Sequence, residues 1–143
     1  MGATEEQGTE DPPGDEYPVH SVTLSDYYIG KFEVTQGLWK AVMGDNPSEL
    51  KKGDDYPVEM VSWNDIQDFL NKLNKVTGKK YALPTEAQWE YAARGGANSK
   101  GYKYSGSNTL GDVAWYADNS DYSTHPVGKK QANELGLYDM SGN

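Results

Sequence analysis

Two glutamates four residues apart form the carboxylate pair best spaced for chemistry in this sequence. On a helix, Glu86 and Glu90 would place both carboxylates on one face, which suits metal binding or acid–base catalysis. We favour a structural interpretation of the pair. Glu86 falls in the first turn of a predicted helix, where negative charge complements the helix dipole, and Glu90 can pair with Arg94 four residues later.

Thiol chemistry is absent from the sequence, and imidazole chemistry is sparse. The 143 residues include no cysteine, which excludes disulfides, zinc–thiolate sites and thiol nucleophiles. His20 and His125 are the two histidines, and two isolated imidazoles do not make a metal-binding triad. For His20 we predict a structural hydrogen bond.

Aromatic side chains are numerous, with 4 Trp and 11 Tyr, and can either pack in the core or bind a ligand. The tryptophans fall on or beside predicted elements, so we expect them to anchor the core. Tyrosines in the irregular region after Gly96 are instead candidates for stacking on a sugar ring. These candidates are Tyr102, Tyr104, Tyr116 and Tyr122.

The charge of the chain argues against a nucleic-acid partner. It is −9, from 22 acidic and 13 basic residues, and a phosphate backbone would be repelled by such a surface. Residues 1–16 are acidic and nearly free of large apolar side chains, so we predict a flexible segment there and one domain over residues 17–143. No apolar run approaches the roughly 18 residues that span a bilayer. We therefore expect a soluble chain and leave its compartment open.

Start and stop signals predict three helices in the first two thirds of the chain. Threonine or serine precedes each helix as an N-cap, and glycine follows each one. The second and third also have an acidic or amide residue at the third helical position, as in a capping box. The predicted helices open at Thr35, Ser62 and Thr85 and end at Gly44, Gly78 and Gly95–Gly96.

Alternating apolar residues predict two short strands, over residues 19–24 and 27–34. After Gly96 turn-forming residues dominate. There we predict an ordered but irregular region with one or two very short strands.

Several short motifs, taken in order, resemble the formylglycine-generating-enzyme, or sulfatase-modifying-factor, family. The matching segments are YIGKFEVT (28–35), YPVEMVSW (56–63), LPTEAQWEYAARGG (83–96), HPVG (125–128) and LGLYDMSGN (135–143). The resemblance implies an α+β fold of the formylglycine-generating-enzyme subtype of the C-type-lectin-like fold. That fold has a small twisted sheet, two to three helices and much irregular structure.

The resemblance also implies a reaction that this chain lacks the residues to perform. The family's founding activity oxidises a cysteine of a client sulfatase to formylglycine, with dioxygen and copper held by two cysteines. Because this chain has none, we expect no copper and no catalysis from it, with a sulfatase polypeptide as the implied partner. The alternative is a non-catalytic binding module for carbohydrate or protein at the cell envelope.

Structural calcium is a further implication of the resemblance. The family binds calcium near its "A-N-x-W" and "G-N-x-W-E" segments. Asn143 matches the second, and Asp112 or Asp118 beside Trp115 are candidates for the first, where this sequence departs from the asparagine pattern.

Family members continue beyond the segment that matches Asn143, so we expect an incomplete domain with an exposed sheet edge and a tendency to self-associate.

Overall fold

The computed structural model describes residues 1–2 and 18–143 of the chain. The flexible acidic segment predicted for residues 1–16 therefore lies, apart from Met1 and Gly2, outside the described residues. Met1 and Gly2 themselves contact the rest of the molecule. The Met1 carbonyl oxygen accepts a hydrogen bond from the His20 amide, and the Gly2 amide donates to Glu90 Oε1.

The three predicted helices are confirmed. They are α1 (Gln36–Met43), α2 (Trp63–Thr77) and α3 (Glu86–Ala93). A 3₁₀ turn, Gly96–Asn98, and a four-residue helix, α4 (Leu110–Val113), follow them within the described residues and were not predicted. None of the helices in residues 1–2 and 18–143 combines the length and apolar character needed to cross a membrane.

The helix ends use the capping chemistry that their sequences indicate. At the start of α2, Ser62 Oγ accepts from the Asp65 amide while the Asp65 carboxylate accepts from the Ser62 amide. Thr85 and Gln88 form the same reciprocal pair at the start of α3. These bonds satisfy amide donors that have no partner inside a helix.

Aromatic stacking joins the first two helices. Trp39 of α1 and Phe69 of α2 are 3 % and 2 % exposed, and their ring centroids lie 4.8 Å apart with the planes nearly parallel. A second buried group lies around the end of α3 and the region after it: Ala92, Ala93, Val113, Ala114 and Leu137. The hydrophobic core of the described residues is therefore small and divided between these two places.

The predicted sheet is not found among the described residues. Two isolated bridges stand in its place, Thr35–Pro57 and Tyr104–Ser107. The chain over residues 19–30 runs without helix, turn or bend. A strand needs a paired neighbour, and no described segment supplies one for residues 19–24 or 27–34. The predicted strands are therefore not confirmed.

Buried amide side chains organise the irregular region after Gly96. Asn133 is 6 % exposed, and its Nδ2 donates to the carbonyl oxygen of Ala92 and to Ser105 Oγ. Its Oδ1 accepts from the amides of Leu135 and Leu137. One side chain thus connects the end of α3 to two separate loops.

Candidate functional site

A cleft of about 740 Å³ lies along α3, and we call it the central cleft. Its lining combines aromatic rings with carboxylates, an amide and a guanidinium. The lining includes Trp89, Glu90 and Arg94 of α3, together with Tyr102, Tyr104, Glu33, Asp139 and Asn143.

Glu33 is the carboxylate whose ionisation the cleft changes most. Burial raises the pKa of Glu33 to about 7, and the nearby charge of Asp139 adds to the rise. A hydrogen bond from Asn143 Nδ2 to Glu33 Oε2, at 3.0 Å, opposes it. Near neutral pH, Glu33 is therefore present in both its charged and its protonated form.

Asp139 is more deeply buried than Glu33, and only one of its two carboxylate oxygens has a hydrogen-bond partner. It is 7 % exposed, and its Oδ2 accepts a 2.7 Å hydrogen bond from the Gly128 amide. Its Oδ1 is also buried and has no hydrogen-bond partner in the described part of the chain. Burial raises the pKa of Asp139 as well. An unpaired buried acceptor costs stability, and this oxygen is one of the few such atoms in the described part of the chain.

A glycine permits the contact that holds Asp139. Gly128 has φ of 71°, and a Cβ added there would lie 2.5 Å from Phe32 Cε1. A larger residue would be strained by the backbone and would collide with the Phe32 ring. Glycine is therefore the residue type that fits this position, where the backbone amide bonds to Asp139.

Asn143 connects the cleft to the loop around His125. Its Oδ1 accepts from the His125 amide, and its Nδ2 donates to the His125 carbonyl oxygen as well as to Glu33. The His125 ring stacks on Trp115 with centroids 3.7 Å apart, and Lys130 Nζ lies 3.9 Å from the Trp115 ring centroid. The wall of the cleft at Asn143 is thus fixed by a packed aromatic and cationic cluster.

The structural interpretation of the glutamate pair on α3 is confirmed for Glu90. Glu90 Oε1 lies 2.9 Å from Arg94 Nε, four residues later on the helix, and also accepts from the Gly2 amide. Glu86 is exposed in the first turn of α3 and does not line the central cleft. His20 Nδ1 lies 3.2 Å from the Pro18 carbonyl oxygen, a local structural hydrogen bond of the predicted kind.

The residues predicted for calcium are in different surroundings. Asn143 lines the central cleft, but its side-chain oxygen is already bonded to the His125 amide. Asp112 accepts from Ser107 Oγ, and Asp118 is exposed; neither lines the cleft. Among the described residues no three His, Cys, Asp or Glu side chains are grouped to hold a metal ion. The calcium sites at Asn143 and beside Trp115 stay a prediction.

Two of the four predicted tyrosines share a surface. Tyr102 and Tyr104 both line the central cleft. Tyr122 is 90 % exposed outside the cleft lining, where it and Asp121 have φ of 53° and 52°. Tyr116 also lies outside the cleft lining. Sequence reasoning missed Glu33 and Asp139, because no spacing rule relates residues so far apart in the chain.

A family model described as the sulfatase-modifying factor enzyme 1-like domain matches residues 1–143. The chain belongs to this family. The sequence motifs that suggested the resemblance run through both the α3 side and the Asp139–Asn143 side of the central cleft, so the cleft is built from family segments.

Proteins similar to this chain differ in the roles that their names state. "Chaperone protein LppX" of Paenibacillus barcinonensis is 40% identical to the chain over 89% of it and 63% of that relative. "Formylglycine-generating enzyme" of Streptomyces coelicolor is 34% identical over 67% of the chain and 32% of the enzyme. "Inactive C-alpha-formylglycine-generating enzyme 2" of Bos taurus is 31% identical over 77% of the chain and 38% of that protein. The chain spans less than two thirds of the length of each.

Solved structures share the fold. "Treponema denticola variable protein 1" superimposes with a TM-score of 0.67 at 34% identity, over 75% of this chain and 56% of that one. The structure described as "Crystal Structure of CarF" gives a TM-score of 0.64 at 28% identity, over 79% of this chain and 64% of that one. These likenesses support the family assignment at the level of the backbone.

Proposed function

We propose that this domain is a non-catalytic, polypeptide-binding member of the sulfatase-modifying factor family that engages its client in the central cleft. The observation that supports this most directly is the lining of the central cleft, which brings the aromatic rings of Trp89, Tyr102 and Tyr104 together with carboxylates. Such a cleft offers hydrogen-bond acceptors to peptide N–H groups and apolar area to side chains.

Catalysis of the family's oxidative kind needs groups that this sequence does not have. Copper(I) is held by soft thiolate ligands, and the 143 residues contain no cysteine. The titratable groups of the cleft are carboxylates and basic side chains, which can bind and exchange protons but cannot replace a copper–thiolate centre. Binding is the activity that remains for the residues present.

The names of the relatives agree with a polypeptide as ligand. The LppX relative is named a chaperone protein, and the family name refers to the modification of sulfatases. A bovine relative is named inactive, so loss of the reaction is compatible with this fold. A sulfatase polypeptide is the client class that we propose.

Carbohydrate is the second candidate ligand, and one observation favours it. Tyr102 and Tyr104 share the central cleft with the Glu33 and Asp139 carboxylates, and aromatic rings beside carboxylates are suited to bind sugar rings. This alternative treats the domain as a C-type-lectin-like module at the cell envelope, with the small twisted sheet of that fold as part of the proposal.

Fluorescence anisotropy with two labelled probes separates these candidates. The first probe is an unfolded, cysteine-containing peptide of sulfatase type, and the second is a mixed oligosaccharide. We expect the peptide to bind and Trp89→Ala, at a ring 46 % exposed in the cleft, to weaken binding about tenfold. The matched control, Tyr122→Ala, removes an exposed ring outside the cleft and is expected to leave affinity unchanged.

An oxygen electrode tests the non-catalytic part of the proposal. With copper, a reductant and the same peptide, we expect oxygen consumption at the background rate. Turnover above background would refute the absence of catalysis. Binding of the oligosaccharide alone, weakened by Trp89→Ala, would favour the second candidate instead.

A further inference from the structure

The Glu90–Arg94 ion pair of α3 lies between the central cleft and a smaller pocket of about 250 Å³. We call the smaller one the Met1 pocket, because Met1 is part of its lining. Among the described residues, Glu90 and Arg94 are the two that line both spaces. A contact made to this pair from the Met1 side can therefore change the wall that the central cleft presents to a ligand.

Gly2 bonds to both members of the ion pair through its own backbone. Its amide donates to Glu90 Oε1 at 2.9 Å, and its carbonyl oxygen accepts from Arg94 Nη2 at 3.1 Å. Glu90 Oε1 also accepts from Arg94 Nε at 2.9 Å, so the three residues form a closed ring of hydrogen bonds. We call this ring the Gly2 clamp.

The main chain of His20 holds the residue that precedes Gly2. The Met1 carbonyl oxygen accepts from the His20 amide at 3.1 Å, and the Met1 nitrogen donates to the His20 carbonyl oxygen at 3.0 Å. These two bonds fix Met1, and Gly2 follows it directly in the chain. The Gly2 clamp therefore involves a segment that is itself bonded to the rest of the molecule at His20.

The bonds to Gly2 hold the two side chains more firmly than the ion pair does alone. The side chains of Glu90 and Arg94 are 19 % and 37 % exposed, and an ion pair within one helix in contact with water holds its members only weakly. Both bonds to Gly2 involve a charged group, which makes such bonds roughly twice as strong as neutral ones. They also attach the pair to a second segment of the chain. The orientation of both side chains therefore depends on Gly2.

We propose that Gly2 is a positioning residue of the central cleft, because its backbone fixes the orientation in which Glu90 and Arg94 face a ligand. Glycine suits this role, since φ at Gly2 is 103° and a residue with a Cβ would be strained there. The effect on a ligand rests on the function proposed for the central cleft. The hold on Arg94 can be measured without a ligand.

Paired glycine substitutions test the role of Gly2 in binding. Gly2→Ala places a side chain at φ of 103°, and its matched control, Gly44→Ala, does so at φ of 93° at the end of α1, outside both linings. We expect Gly2→Ala to weaken binding of the labelled cysteine-containing peptide about fivefold, the effect of one ordinary hydrogen bond, and the control to leave affinity unchanged. Gly2→Pro also lacks the amide donor and should weaken binding at least as much.

NMR of the Arg94 guanidinium measures the Gly2 clamp in the absence of peptide. We expect the side-chain N–H protons of Arg94 to exchange with water faster in both Gly2 variants than in the unaltered chain and in Gly44→Ala. If the peptide does not bind to the unaltered chain, the function proposed for the central cleft fails, and the exchange comparison still decides whether Gly2 holds Arg94. If Gly2→Pro does not fold, Gly2→Ala provides both measurements.

Three results would overturn the positioning role of Gly2. Unchanged exchange at Arg94 in the folded Gly2 variants would show that the ion pair keeps its orientation without Gly2. Faster exchange with unchanged peptide affinity would show that this orientation does not matter to the ligand. Tighter binding by Gly2→Ala would show that the Met1–Gly2 segment competes with the ligand rather than preparing the cleft for it.

Discussion

The helical part of the molecule, residues 35–96, and the loop part, residues 97–143, are stabilised in different ways. In the helical part, many residues act together through caps and an aromatic stack between α1 and α2. In the loop part, single polar side chains such as Asn133 replace regular backbone pairing. The central cleft lies where the two parts meet. Side-chain volume therefore governs the stability of the helical part, and hydrogen-bonding capacity governs the stability of the loop part.

The largest expected effect is at the aromatic stack. Phe69→Ala is expected to lower the free energy of unfolding by about 4 kcal/mol, because it leaves a cavity against Trp39. Phe69→Leu should recover much of that loss, since it restores most of the volume. Urea denaturation followed by Trp fluorescence measures both. Equal losses for the two variants would mean that volume does not govern the helical part.

A smaller loss of stability, which a residue of similar volume cannot restore, is expected at Asn133. Asn133→Ala leaves the carbonyl of Ala92 and the amides of Leu135 and Leu137 without this partner, at a cost of about 3 kcal/mol. Asn133→Leu has a similar volume and should recover none of it. Asn64→Ala, at an exposed position of α2, is the control and should stay within about 0.5 kcal/mol. Recovery by leucine would remove the distinction between the two parts.

The same distinction explains how much could be predicted from the sequence. Caps at Thr35, Ser62 and Thr85 depend on neighbours three residues away, so the three helices were found with their ends. The sheet predicted from residues 19–34 is not found among the described residues, because strand pairing depends on a distant segment. Family motifs gave Tyr102 and Tyr104 no special place, and their meeting in the central cleft required the fold.

The properties of Glu33 and Asp139 in the candidate site could not be predicted from their neighbours in the sequence. The pKa of Glu33 depends on burial and on residues that lie more than a hundred positions along the chain. Asp139 sits within a recognisable motif, yet the sequence does not indicate that one of its oxygens lacks a partner. The central cleft and its electrostatics both depend on contacts between distant segments, so neither could be predicted from the sequence.

The smallest expected effect is the pH dependence of stability, which has opposite sign for Glu33 in the central cleft and for Asp65 in the helical part. Burial raises the pKa of Glu33 to about 7, above the usual 4.5 that applies to the unfolded chain. Between these values the folded state binds more protons, so the contribution of Glu33 to stability is fully present below pH 4.5 and is lost as the pH rises through 7. After allowance for solvent screening, the loss is on the order of 1–2 kcal/mol.

Urea midpoints at pH 5 and pH 8 measure this loss of stability, and two variants show which carboxylate causes it. Glu33→Gln should flatten the decline and leave the protein more stable than the unaltered chain at pH 8. In the helical part, the Ser62 hydroxyl lowers the pKa of Asp65, so Asp65 stabilises the fold above its unfolded pKa and loses that effect as the pH falls through the lower folded value. Asp65→Asn should therefore alter stability at pH 8 and leave the decline between pH 5 and pH 8 intact. A decline that Glu33→Gln does not reduce would show that burial in the central cleft does not raise the pKa of Glu33, and the contrast between the two parts would then rest on Asn133 alone.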